Sequence, residues 1–175
     1  MIKSEHHQIF YRVDERSFKE GDCITPINAT QERAQDERQA VEGLLETCRP
    51  ENRLSRKEAL FVFDNLIDAI AFCSKWNNNT FIYEVTPEWD DRIVKADMNI
   101  LDIILKTNNV EEKLLWAQHY WDLGFHIGDN PVYEHLVSSA IVKRKLFSKQ
   151  ECFQILNDID NTQRTVANSL MAFLQ

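Results

Sequence analysis

Apolar positions along this chain follow two different periods, and each change of period marks an element. Residues 8–13 alternate weakly and carry the aromatic pair Phe10-Tyr11, which predicts a short strand. Gly21-Asp22 forms a turn, and Cys23-Ile24-Thr25 is extended before Pro26. From about Thr30 to Cys48 the spacing becomes helical: Ala34, Ala40, Val41, Leu44, Leu45 and Cys48 make a weak stripe among Glu, Arg and Gln. That pattern predicts a partly exposed helix that stops before Pro50. A polar connector follows over 50–58.

The run 59–63, Ala-Leu-Phe-Val-Phe, reads as a strand leading straight into a helix. Asp64 or Asn65 caps that helix, which reaches Trp76 with a broad apolar face of Leu66, Ile67, Ala69, Ile70 and Phe72. Asn77-Asn78-Asn79 turns the chain, and Thr80–Thr86 is a β-rich strand stopped by Pro87. Residues 92–95 predict a short strand, and 99–105 a short helix or strand. A further helix runs from Asn108 or Asn109 to about Trp121, and a loop with Gly124, Gly128 and Pro131 breaks it. Residues 132–137 lead into an alternating strand over 140–146. Ser148 and Glu151 have the spacing of a capping box, and one or two amphipathic helices continue to Leu174.

Strands and helices do not alternate regularly enough for a doubly wound parallel sheet. Short strands between helices of unequal length predict an α+β protein, a single domain over 1–175 with a core at 8–146 and C-terminal helices at 148–175. No internal repeat or low-complexity segment interrupts it.

Composition narrows the class. The 175 residues are 43% hydrophobic and 27% charged, with only four glycines and four prolines, as expected of a globular chain with a real core. The net charge of −8 works against broad nucleic-acid binding, which depends on phosphate neutralisation. Lys143-Arg144-Lys145 is a local basic cluster, either a solvated strand edge or a guide for a nucleic-acid acceptor. Four cysteines stand apart without a CxxC pair, no apolar run reaches membrane-spanning length, and no signal-peptide core is present. Reduced core thiols in a cytoplasmic protein are expected, with no membrane attachment. The five histidines, His6-His7 included, lack zinc-binding spacing, so no metal is expected. The four tryptophans are expected in core or interface. There is no glycine-rich phosphate loop and no nucleophile elbow.

One ordered set of motifs points to chemistry. Phe10-Tyr11-Arg12 ends a strand, and Gly21-Asp22-Cys23-Ile24 follows at a spacing of about nine residues. Ala59–Phe63 then runs into its helix. Thr80–Pro87 is followed by Glu88, Asp90 and Asp91. This order resembles the rifampin ADP-ribosyltransferase family, within the wider ADP-ribosyltransferase superfamily, over about residues 8–100 and 131–146. The resemblance implies a split β-sheet core with flanking helices, and NAD as co-substrate. It implies mono-ADP-ribosyl transfer, a glycosyltransferase reaction, to an acceptor. The residues after it, from 147, favour a macromolecular acceptor, protein or RNA or DNA. Family analogy adds a toxin or defence role, with an antitoxin or other regulatory partner.

The resemblance also nominates residues. Arg12 stands where the family has a histidine, and other branches place an arginine there to support the phosphates or ribose of NAD. Phe61 stands in the place of a tyrosine that stacks on nicotinamide. Glu134 occupies the start of a late strand, where many transferases of the superfamily carry their glutamate; the rifampin-modifying group instead points to Asp90, Asp91 or Asp97. Tyr11, Phe63, Asp97 and Asn99 complete the cofactor-binding candidates. Such a trio suits the reaction. Breaking the nicotinamide–ribose bond builds positive charge on the ribose, which a nearby carboxylate stabilises. A guanidinium neutralises the pyrophosphate and a ring packs on the base. Each residue has an ordinary alternative: a surface ion pair for Arg12, core packing for Tyr11, Phe61 and Phe63, a cap or solvated group for Glu134, a turn or helix cap for Asp97 and Asn99. Two other readings stand beside catalysis. One is an ADP-ribosyltransferase-fold binding module without activity. The other is RNA 2′-phosphate transfer, for which the sequence shows no clustered Arg/His set.

Overall fold

A computed structural model of the chain describes residues 8–27, 36–76, 78–88 and 92–173. It is an α+β protein with one open, seven-stranded antiparallel sheet in the order β2-β7-β4-β1-β3-β6-β5. Strand β1 is Phe10–Asp14, β2 Cys23–Ile24, β3 Leu60–Phe63, β4 Phe81–Glu88, β5 Val94–Asp97, β6 Tyr133–Val137 and β7 Ser139–Ser148. The helices are α1 (Asp36–Cys48), α2 (Leu66–Lys75), α3 (Asn99–Lys106), α4 (Val110–Trp121) and α5 (Lys149–Phe173), with a 3₁₀ turn at Arg56–Glu58.

Several local signals act as the sequence implies. Asn65 accepts from Ile67 N–H at 2.8 Å and caps α2, and Asn109 accepts from Glu112 N–H at 3.1 Å and caps α4. At α5 the Glu151 carboxylate accepts from Ser148 N–H at 2.7 Å, and Ser148 Oγ accepts from Glu151 N–H at 3.4 Å, closing the capping box. The segment 99–105 is helical, as α3.

Three expectations are corrected. Pro87 does not stop its strand: β4 continues to Glu88, with Pro87 opposite Ala140 of β7. Pairing with β1 has already ended at Val85, so a proline without an N–H leaves no ladder partner on that side. The short strand expected at 92–95 lies at Val94–Asp97, where Val94 and Ala96 point into the core. Cys23 is exposed; only Cys73 and Cys152 are fully buried thiols, with Cys48 between. The start expected for the first helix, at Thr30, falls outside the described residues, as do His6-His7, Asn77, Trp89, Asp90, Asp91 and Leu174.

The two faces of the sheet differ. On one, β5, β6 and Phe61 pack under α1, α3 and α4 through Val41, Leu45, Ile100, Ile104, Ala117, Tyr120 and Leu136. On the same face Val13, Phe63 and Ile82 pack under α2 and α5 through Ala69, Ile70, Cys73 and Cys152. The other face is built from Phe10, Leu60, Val62, Tyr83, Val85, Val137, Ala140 and Val142, joined by Ile24, Phe18 and Ile93. None of these residues belongs to a described helix. Among the described residues, loops and the two-residue strand β2 close this side.

No described helix is long and apolar enough to cross a membrane.

Candidate functional site

Register decides which candidate side chains meet. Glu134 pairs with Phe63, and Phe63 with Tyr11, so all three share the helix-covered face. Phe61, two residues from Phe63, lies there too. Arg12 follows Tyr11 and therefore projects from the opposite face, helix-free among the described residues, between Phe10 and Asp14. The arginine touches the nominated ring residue only through its backbone: Arg12 Nη1 donates to the Phe61 carbonyl at 2.9 Å.

Glu134 is 3% exposed and sits in a closed polar network. It accepts from the Tyr120 hydroxyl at 2.6 Å and forms an ion pair with Arg56. Arg56 also donates to Glu42 on α1, at 2.8 Å from Nε and 3.1 Å from Nη2, and contacts the Tyr120 hydroxyl. Its guanidinium lies over the Phe61 ring, 4.6 Å from the centroid. Burial opposes the charge on Arg56, but Glu134, then Tyr120 and Glu42, outweigh it and hold the pKa well above the ordinary arginine value. Burial, aided by Glu134, drives the Tyr120 hydroxyl well above the ordinary tyrosine range. This network ties the 3₁₀ turn, α1, α4 and β6 together. Phe61 offers Arg56 the ring face that a ligand would otherwise take.

The remaining nominees also have protein partners. Phe63 is buried against Phe72, with ring centroids 5.2 Å apart, and Tyr11 packs in the same cluster. Asp97 is fully buried and accepts from three backbone N–H groups: Asn99 at 3.0 Å, Ile127 at 2.9 Å and Val132 at 3.3 Å. It organises the start of α3 and the loop before β6. Asn99 donates to the Asn130 carbonyl at 3.4 Å across the same junction.

The helix-free face carries a different set. Asp14, 4% exposed, receives Arg12 Nε and Nη2 at 3.1 and 3.0 Å, and Arg16 Nε and Nη2 at 2.9 Å each. Arg16 Nη2 also reaches the Thr25 carbonyl at 3.1 Å. Burial raises the Asp14 pKa, but hydrogen bonding from Arg16 and the charge of Arg12 outweigh it and leave the carboxyl below its ordinary value. Burial lowers the Arg12 pKa more than Asp14 restores it. One carboxylate thus locks two guanidiniums, whose side chains keep 20% and 30% exposure. A guanidinium has five N–H groups, and Arg12 spends three on Asp14 and Phe61.

Beside this pair stands a second polar group that the sequence reading did not single out. Asp64 Oδ2 accepts from Lys95 Nζ at 2.9 Å and lies 3.9 Å from His135 Nε2. His135 is 5% exposed, meets the Phe10 ring edge-on at 4.9 Å, and has no hydrogen-bond partner at Nδ1. Burial and the Lys95 charge outweigh Asp64 and lower its pKa to about 4. Lys95 Nζ also lies 4.0 Å from the Tyr133 ring centroid. The signal in the sequence was alternation: once Glu134 faces the core, Tyr133 and His135 must face the other way.

Comparison with known proteins finds no matching family model and no significantly similar curated protein.

Proposed function

We propose that the protein is an NAD-dependent mono-ADP-ribosyltransferase whose ligand face is the helix-free side of the sheet, with a protein or nucleic acid as acceptor. The observation that carries this reading is the pair of guanidiniums, Arg12 and Arg16, fixed by one buried aspartate at the centre of the sheet. Each guanidinium turns its Nε–Nη2 edge to Asp14, and its remaining N–H groups, held in place, suit a diphosphate: little side-chain entropy is lost on binding, and charge-assisted bonds to phosphate are strong. The ordered motifs from Phe10-Tyr11-Arg12 to Thr80–Pro87 supply the link to ADP-ribosyl transfer. A cytoplasmic toxin or defence effector, held by a regulatory partner, is the setting that the same analogy offers.

One observation favours a second reading, a binding module of the same fold without activity. Glu134 and Phe61, the nominated carboxylate and ring, are engaged by Arg56 in the core. Two measurements separate the readings. Calorimetry with NAD and ADP-ribose tests the face itself, and Arg12→Lys should weaken binding. Incubation with labelled NAD and fractionated lysate tests transfer. Binding with a labelled macromolecule supports the enzyme, binding without label or nicotinamide release supports the module, and no binding of either ligand removes both.

A further inference from the structure

We infer that the carboxylate serving the NAD ribose is Asp64, with His135 and Tyr133 beside it, so that guanidinium, ring and carboxylate meet on the helix-free face. This rests on the reading of that face as the NAD site.

The register places the groups. His135 pairs with Val62 and with Lys95. Because Tyr11 pairs with Phe63, the next position sets Arg12 beside Val62. One cross-strand row therefore runs Lys95, His135, Val62, Arg12, and Arg12 pairs onward with Tyr83. The adjacent row holds Asp97 paired with Tyr133 and Phe10 paired with Val85. Asp64, just past the end of β3, falls between Tyr133 and Phe10. The contacts agree: Asp64 meets Lys95 and His135, His135 meets Phe10, and Lys95 meets Tyr133. Asp64 is a diagonal neighbour of Arg12 across one strand pair, about 7–8 Å between Cα atoms in ordinary sheet geometry.

The groups differ from a structural ion cluster in two respects. Asp64 keeps 21% side-chain exposure and Lys95 44%, whereas Arg56 and Glu134 keep 7% and 4%. His135 holds a buried ring nitrogen without a partner, a costly state that a ligand hydroxyl or amide would relieve. In the reaction the C1′–N bond breaks and its electron pair leaves on the nicotinamide nitrogen. The acceptor heteroatom bonds to C1′ and its proton passes to solvent. Asp64 stabilises the positive charge on the ribose between those events, and His135 binds a ribose hydroxyl or the carboxamide.

The test uses the full chain. NAD affinity is read by calorimetry, nicotinamide release by chromatography, and the His135 ring signals by NMR with and without NAD. Asp64→Asn should bind NAD within about threefold of wild type but release nicotinamide roughly 100-fold more slowly. Asp64→Glu should restore part of that rate, and His135→Gln should weaken NAD about tenfold. NAD should shift the His135 resonances. Wild-type binding lost in Arg12→Lys, with wild-type release in Asp64→Asn or unmoved His135 signals, overturns this assignment and leaves the function standing. No nicotinamide release by any protein that binds NAD removes the role of Asp64, and no binding by wild type removes the function itself.

Discussion

Arg12 and Glu134 lie two strands apart in one sheet and project from opposite faces of it. Glu134 is consequently a core residue, paired with Arg56 and Tyr120, and its substitution should be read first as a stability change. Glu134→Gln removes one of the two carboxylates that hold the buried Arg56 charge and leaves Glu42 as the other, which costs about 1.5–3 kcal/mol. Urea unfolding followed by circular dichroism measures it. A shift under about 1 kcal/mol would show that the network contributes little. Any transfer activity, normalised to folded protein, should survive.

Asp14 should matter both for stability and for ligand. Its carboxyl pKa is depressed in the fold, so its stabilisation is present above the unfolded value near 3.8 and is lost as pH falls through the lower, folded value. Asp14→Asn should remove that acid dependence, lower stability by about 2 kcal/mol and release both guanidiniums. The difference between wild-type and variant unfolding energies from pH 2 to 6 checks the sign.

His135 has the opposite chemistry but the same direction of pH dependence. Its pKa falls from 6.5 to about 4 on folding, so the unfolded chain binds more protons between those values. Stability therefore rises with pH across that window, by up to about 3 kcal/mol. His135→Gln should flatten that component. An NMR titration showing an ordinary midpoint near 6.5 would refute the buried, neutral ring.

The cysteines should divide by access. Cys23 is exposed, while Cys73 is buried even though hydrogen bonding with Cys152 lowers its thiol pKa to about 7. At neutral pH iodoacetamide should label Cys23 first. Cys73 should react only after α2 and α5 separate, so mass spectrometry with rising urea should show its labelling track unfolding.

Much of the architecture was readable from local rules. Alternation located β1 and β7, an apolar run β3 and β-rich composition β4, while the pairs Asp64/Asn65 and Asn108/Asn109 and the Ser148–Glu151 box marked helix starts. Pro87 misled because a proline ends a strand only where its missing N–H would have had a partner, and that depends on where β1 stops. The candidate site was half legible. Arg12 stands in a polar site on the face that no described helix covers, but Glu134 and Phe61 drew notice from motif position, which says nothing about which side of the sheet a residue occupies. Arg56 lay in a segment read as a polar connector, so nothing foretold that it would seal that side. Asp64 looked like a helix cap, a role taken by its neighbour Asn65.

Because β1 lies midway in the strand order, with β4 on one flank and β3 on the other, the earliest of the described strands is the keystone of the arch. The trios β2-β7-β4 and β3-β6-β5 share a ladder only through its five residues. A nascent chain must therefore keep Phe10–Asp14 waiting until distant segments emerge to clasp it, and a truncation that removed those five residues would leave the two trios without a common ladder.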